Sequence, residues 1–159
     1  MPRRTAAALA AALAIGLLTT ACSDPPPPEV TFAAGPASVV AAPTQYCDID
    51  LSDCADPGAP VELAVPSGTA LQITVPDEVA QAPWHVVFSY RDDAGQQVDE
   101  RSRLFAPTTA TGYTLQLPTP TARLLEAQVQ QFGPAPQMDP DTQEVQFPVR
   151  ASWVVRTGA

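Results

Sequence analysis

Nineteen prolines in a chain of 159 residues constrain this fold more than any other feature. Proline has no backbone N–H, and inside a helix its ring clashes with the preceding turn. Prolines at this density therefore exclude a helical domain and fit turns, edge strands and tethers. Between them the apolar residues alternate with period two, the strand period. Val30 and Phe32 open one strand and Val39-Val40 marks another. Val61, Leu63 and Val65 alternate up to the turn Pro66-Ser67-Gly68, and Leu71, Ile73 and Val75 alternate up to Pro76. The clearest strand is Trp84 to Arg91, with Trp84, Val86, Phe88 and Tyr90 on the core face and His85, Val87, Ser89 and Arg91 on the other. Asp92 to Gly95 is a turn, and the partner strand of this hairpin runs from about Gln96 to Phe105.

Tyr113, Leu115 and Leu117 form a further strand, and Leu125, Ala127 and Val129 share a face in the next. Gly133 to Gln143 reads as a loop. Val145, Phe147, Val149 and Ala151 are expected on one face of the last strand, which continues through Trp153 towards Arg156; Pro148 suggests an edge or a bulge. The helical candidate, Pro76 to Ala82, is a short one, and a brief turn is expected at Pro120 to Leu124. About seven to nine short strands at intervals of ~8–12 residues indicate a sandwich or barrel. The expected fold is all-β, an immunoglobulin-like β-sandwich over residues 29–159, with Trp84 as the tryptophan of a central strand.

The other end of the argument is the leader. Met1 to Arg4 is a short positive region, and Thr5 to Ala21 is an uncharged run, mostly Ala and Leu. It is short of the ~20 apolar residues of a membrane span and ends on small residues, so residues 1–21 read as a cleaved signal peptide. The segment Leu17-Leu18-Thr19-Thr20-Ala21-Cys22 resembles a bacterial lipobox, in which the cysteine receives lipid and cleavage falls before it. Thr19 departs from the aliphatic residue usual at that place. An ordinary signal-peptidase site, leaving a soluble protein that begins with a free cysteine, is the alternative. Three cysteines make an odd number; lipidation of Cys22 leaves Cys47 and Cys54 to pair. Ser23-Asp24 and four prolines, Pro25 to Pro28, complete a tether over residues 22–28 that favours polyproline II. The expected location is the extracytoplasmic face of the cell membrane, with the lipid on Cys22 as the membrane partner.

Charge narrows the partners. All eight basic residues are arginine, against seventeen acids. Loss of Arg3 and Arg4 with the leader moves the formal charge from −9 to −11. Nucleic acid is excluded as a partner, and attachment to anionic headgroups must be hydrophobic or covalent. His85 is the lone histidine, so neither a multi-histidine metal site nor any other cofactor is expected. No nucleophile elbow accompanies His85, and the acidic pairs Asp77-Glu78, Asp92-Asp93 and Asp99-Glu100 fall at turns or on exposed strands. Arg101 and Arg103 are expected to pair with nearby acids.

The most suggestive local feature is the knuckle from Cys47 to Cys54. Tyr46 stands beside Asp48, Asp50, Asp53 and Asp56, a surface for a partner or a cation. Asp48, Asp50 and Ser52 match the early oxygens of a calcium loop, but Asp53 and Ala59 stand where glycine and glutamate are needed. The expectation is a non-catalytic envelope module binding a protein, glycan or lipid. The alternatives are an enzyme or enzyme accessory with an unrecognised site, or a weak calcium-binding module.

Several segments carry a resemblance: Pro43-Thr44-Gln45-Tyr46-Cys47, Leu71 to Pro76 running into Pro83 to Phe88, Tyr113 to Pro118, and Ala127 to Gly133. Together they resemble an actinobacterial cell-envelope lipoprotein family described only as a domain of unknown function. The resemblance implies an immunoglobulin-like or similar β fold and carries no catalytic residues.

Overall fold

The computed structural model describes residues 25–138 and 141–158. The expected signal peptide and the lipid-bearing Cys22 lie outside these residues. In chain order the elements are β1 (Val30–Ala34), β2 (Ala37–Ala41), β3 (Gln45–Cys47), β4 (Cys54–Ala55), β5 (Val61–Glu62), β6 (Leu71–Thr74), α1 (Asp77–Ala80), β7 (Trp84–Arg91), β8 (Gln97–Arg101), β9 (Gly112–Leu115), β10 (Arg123–Phe132), β11 (Gln137–Met138), β12 (Val145–Gln146) and β13 (Val149–Arg156).

The strands form two main sheets. One has the order β2-β1-β6-β9; the other has the order β4-β3-β13-β10-β7-β8, with β5 added in parallel to β13. A small third sheet pairs β11 with β12. The all-β sandwich expected from the alternating pattern is what forms. Val30, Phe32, Leu71, Ile73 and Leu115 of the first sheet share one core with Trp84, Val86, Ala127, Val129, Trp153 and Val155 of the second. Apolar burial of this kind contributes roughly 25 cal/mol per Å² removed from water, so the large rings count most. Trp84 and Trp153 are fully buried. Trp84 stacks on Phe105 at 4.3 Å between centroids, and its indole N–H donates to the Ala110 carbonyl at 3.2 Å.

The alternation holds best on β7, where Trp84, Val86, Phe88 and Tyr90 face the core as expected. It fails in two places. Val145 and Phe147 are 61% and 52% exposed, not on a shared core face with Ala151. β12 ends at Gln146 and pairs with β11, and β13 begins only after Pro148. Proline cannot donate to a ladder, so the inward phase restarts beyond it, with Ala151, Trp153 and Val155 buried. In β10 the pairing with β7 slips between Leu124 and Glu126. That slip buries Leu124 and leaves Leu125 half-buried, where Leu125 was expected to share the inner face with Ala127 and Val129.

The topology sorts the connections between two ends. Thr31 lies opposite both Val40 and Thr74, so the start of β1 and the end of β6 lie together. The chain then crosses through α1 to the start of β7. The buried amide of Gln131 ties this crossing down by donating to the carbonyls of Glu78 (3.0 Å) and Val79 (2.9 Å). The 102–111 connection, the Cys47–Cys54 knuckle and the β11–β12 hairpin leave their strands at this same end. The turns at Gly35-Pro36, Pro66 to Gly68 and Asp92 to Gly95 lie at the other.

Candidate functional site

His85 points outward from β7 beside Gln130 of β10, its antiparallel partner. Its Nε2 pairs with Gln130 Oε1 at 2.9 Å, and its ring meets Phe132 edge-on at 4.9 Å. Around this pair the surface sinks into a recess of about 480 Å³, whose lining includes Phe132, Leu104, Phe147, Arg101 and Arg103. Its lining combines apolar Pro83, Leu104, Phe132 and Phe147 with the cations of Arg101 and Arg103.

The local chain explains the placement of the arginines. β8 ends at Arg101, but its ladder persists one step further. Ser102 N–H donates to the Val86 carbonyl at 2.8 Å, and Val86 N–H donates back to Ser102 Oγ at 2.9 Å. The hydroxyl of Ser102 donates to the Arg103 carbonyl at 2.8 Å. Phe105 then bridges to Trp84 and anchors the segment in the core. Arg103 lies with its guanidinium 5.0 Å from the Phe105 ring centroid, a cation–π contact. Neither Arg101 nor Arg103 forms an ion pair among the described residues, contrary to the expectation that nearby acids would take them; the ion pair found joins Arg156 and Glu126 at 2.9 Å.

His85 is oriented by an amide and not by a carboxylate, and the hydroxyl in the lining, Ser102, is spent on the backbone. Among the described residues no carboxylate lines the recess. Asp99, Glu100 and Glu126 line a shallower polar hollow of about 540 Å³ on the far side of Arg101, and Glu100 accepts a hydrogen bond from Tyr90 Oη at 3.1 Å.

The knuckle closes with the expected disulfide between Cys47 and Cys54, opposite each other on β3 and β4. Two of its singled-out residues are committed internally. Both oxygens of the Asp48 carboxylate accept from Ser52, from N–H at 2.8 Å and from Oγ at 2.7 Å. The Ser52 hydroxyl, helped by backbone N–H groups, holds Asp48 below the ordinary carboxylate pKa. The ring of Tyr46 carries the Arg150 guanidinium at 5.1 Å, and Arg150 also donates to Tyr46 Oη (3.3 Å), the Cys47 carbonyl (3.1 Å) and Gln131 Oε1 (3.4 Å). Asp50, Asp53 and Asp56 are exposed. Among the described residues no group of three or more His, Cys, Asp or Glu side chains is placed to hold a metal ion.

Sequence reasoning thus found the knuckle and missed the recess. The alternation places Phe147 on the inner face of the last strand and gives no signal at Phe132, and the charge pattern pairs Arg101 and Arg103 with neighbouring acids. The usable signal was Pro148, which interrupts the strand just where Phe147 would have entered it.

Residues 23–158 match a family described as Protein of unknown function (DUF2771). Uncharacterized proteins of Mycobacterium tuberculosis (strain ATCC 25618 / H37Rv) and of Mycobacterium bovis (strain ATCC BAA-935 / AF2122/97) are each 36% identical over 74 residues, 46% of this chain and 43% of theirs. The match therefore spans less than half the length of these curated relatives. No solved structure matches the chain.

Proposed function

The chain belongs to the DUF2771 family, and from that membership and the geometry above we propose an exported lipoprotein held on the outer face of the membrane through Cys22. Its immunoglobulin-like sandwich serves as a non-catalytic binding module. The observation that carries the binding role is the recess at His85, where apolar side chains meet two arginines that form no ion pair among the described residues. In a chain of formal charge −9 this is a local reversal. Asp99, Glu100 and Glu126, which share a hollow with Arg101, offset part of it, and acids more than a Debye length away, about 8 Å at physiological salt, subtract little more. Such a site suits an amphiphile with an anionic head and an apolar tail. The head would meet Arg101 and Arg103, and the tail would lie against Leu104, Phe132 and Phe147. With Tyr46 and Asp48 committed internally, the knuckle offers acids without a free contact aromatic, which favours the recess as the binding surface.

Titration calorimetry of the chain with dodecyl phosphate, kept below the concentration at which it forms micelles, tests this reading. Saturable binding is expected, weakened about tenfold or more by Arg101→Gln with Arg103→Gln and unchanged by Asp50→Asn. Equal affinity in the parent and the double arginine variant would overturn it.

A further inference from the structure

We propose that the end of the sandwich carrying the tether is a membrane-facing surface whose apolar side chains dip into the lipid interface. This goes beyond the binding reading and rests on the lipid at Cys22 proposed above. Its support is a coincidence of position. Six large hydrophobic side chains are conspicuously exposed among the described residues: Val40, Ile49, Leu104, Met138, Val145 and Phe147. Five of them sit on the connections at one end, with Ile49 in the knuckle, Leu104 in the 102–111 connection, and Met138, Val145 and Phe147 in the segment between β10 and β13. Val40 lies opposite Thr31, one residue inside the same end. None of the six lies in the turns of the opposite end.

The tether emerges at this end as well. Pro28 is fixed to the core, because its carbonyl accepts the Trp153 indole N–H at 2.9 Å, and β1 starts two residues later. Pro28 lies six positions after Cys22, so even a fully extended chain keeps the two within roughly 20 Å. The eight residues of β7 place the opposite turns ~25 Å further along the strand direction. A lipid on Cys22 therefore brings the apolar end to the bilayer and leaves the other end outward. A hydrophobic end held at that distance lowers its free energy by leaving water for the headgroup boundary.

Charge argues for apolar contact and against attraction to anionic lipid. Glu29, Asp50, Asp53, Asp77, Glu78 and Glu144 are exposed at this end, and Arg101 and Arg103 stand against them. The expected surface is zwitterionic, with the arginines at phosphate level beside Leu104 and Phe147. The recess then opens towards the lipid that would fill it.

The test uses the full, lipid-modified chain reconstituted into phosphatidylcholine vesicles with and without brominated acyl chains. Three variants each add one tryptophan: Leu104→Trp and Phe147→Trp at the tether end, and Ser67→Trp at the opposite end. Trp84 and Trp153 are fully buried and form a constant background. The proposal expects a blue shift and bromine quenching beyond the parent for positions 104 and 147, at a depth of about 5–10 Å into the interface, and neither for position 67. Flotation with the vesicles without quenching at 104 or 147 overturns the membrane-facing surface, leaves the anchor standing, and opens that face to a protein partner. Quenching at all three positions overturns the orientation. Failure to float overturns the anchor, and the proposal with it. Hydrogen exchange of the unsubstituted chain guards against a misfolded variant. Protection of residues 103–106 and 145–148 on vesicles, relative to the Cys22→Ala chain in solution, is expected, and its absence overturns the surface.

Discussion

The indole N–H of Trp153 donates a 2.9 Å hydrogen bond to the carbonyl of Pro28. A fully buried residue near the end of the chain thereby fixes the point where the proline tether leaves the domain. This contact gives the proline run a defined exit from the domain. Trp153→Phe keeps most of the buried ring and removes the bond. It should cost about 1–3 kcal/mol, since the Pro28 carbonyl loses its partner. Urea unfolding measures this, and a variant as stable as the parent would show that the bond orders nothing.

Cys22→Ala should move the protein from the detergent phase to the aqueous phase on phase separation. A single acyl chain holds a protein only marginally, whereas a diacylglyceryl group holds it stably, so the change should be nearly complete. Partitioning unchanged by the substitution would refute lipidation at Cys22.

Trp84→Ala should lower stability by ~3–5 kcal/mol through lost burial and a cavity beside Phe105. The ring is fully buried, stacked on Phe105 at 4.3 Å and hydrogen-bonded to Ala110, so the substitution removes all three. The midpoint of a denaturant titration decides the matter.

Reduction of Cys47–Cys54, or Cys47→Ser with Cys54→Ser, should cost about 2.5 kcal/mol from the entropy of the small closed loop. Arg150 holds the Cys47 carbonyl and Tyr46 independently of the disulfide. The loss should therefore be confined to the knuckle, with the Trp84 emission unchanged. A global loss of structure on reduction would contradict this.

Asp93 accepts hydrogen bonds from Thr121 Oγ1 and Thr119 Oγ1, and these two hydroxyls, Thr121 first, hold its pKa below the ordinary 3.8. A carboxylate depressed in the folded state stabilises the protein above its unfolded pKa, and the effect fades as pH falls through the folded value. Asp93→Asn should therefore lower the melting temperature at neutral pH and converge with the parent in acid below the lowered pKa. A pH-independent difference between the two would show that geometry, not ionisation, is responsible.

The all-β class, the core face of β7, the knuckle and its disulfide were legible in the sequence. Period-two alternation, turn residues and cysteine parity are local signals, and in β7 nothing interrupts them. The proposed leader and tether rest on local signals of the same kind, a charged start, an apolar length and a proline run. The inner phase at the start of β10 and the starting point of β13 were decided by the tertiary structure: a bulge near Leu124 shifts the alternation by a residue, and the break at Pro148 ends the inward face and leaves Val145 and Phe147 outside it. The recess lay further from view. Leu104, Phe132 and Phe147 are separated in sequence and converge only when β7, β10 and the 102–111 connection pack side by side. The gathering of exposed apolar side chains at the tether end has the same origin: the strand order decides which connections share an end, and that order is set by pairing between strands distant in the chain.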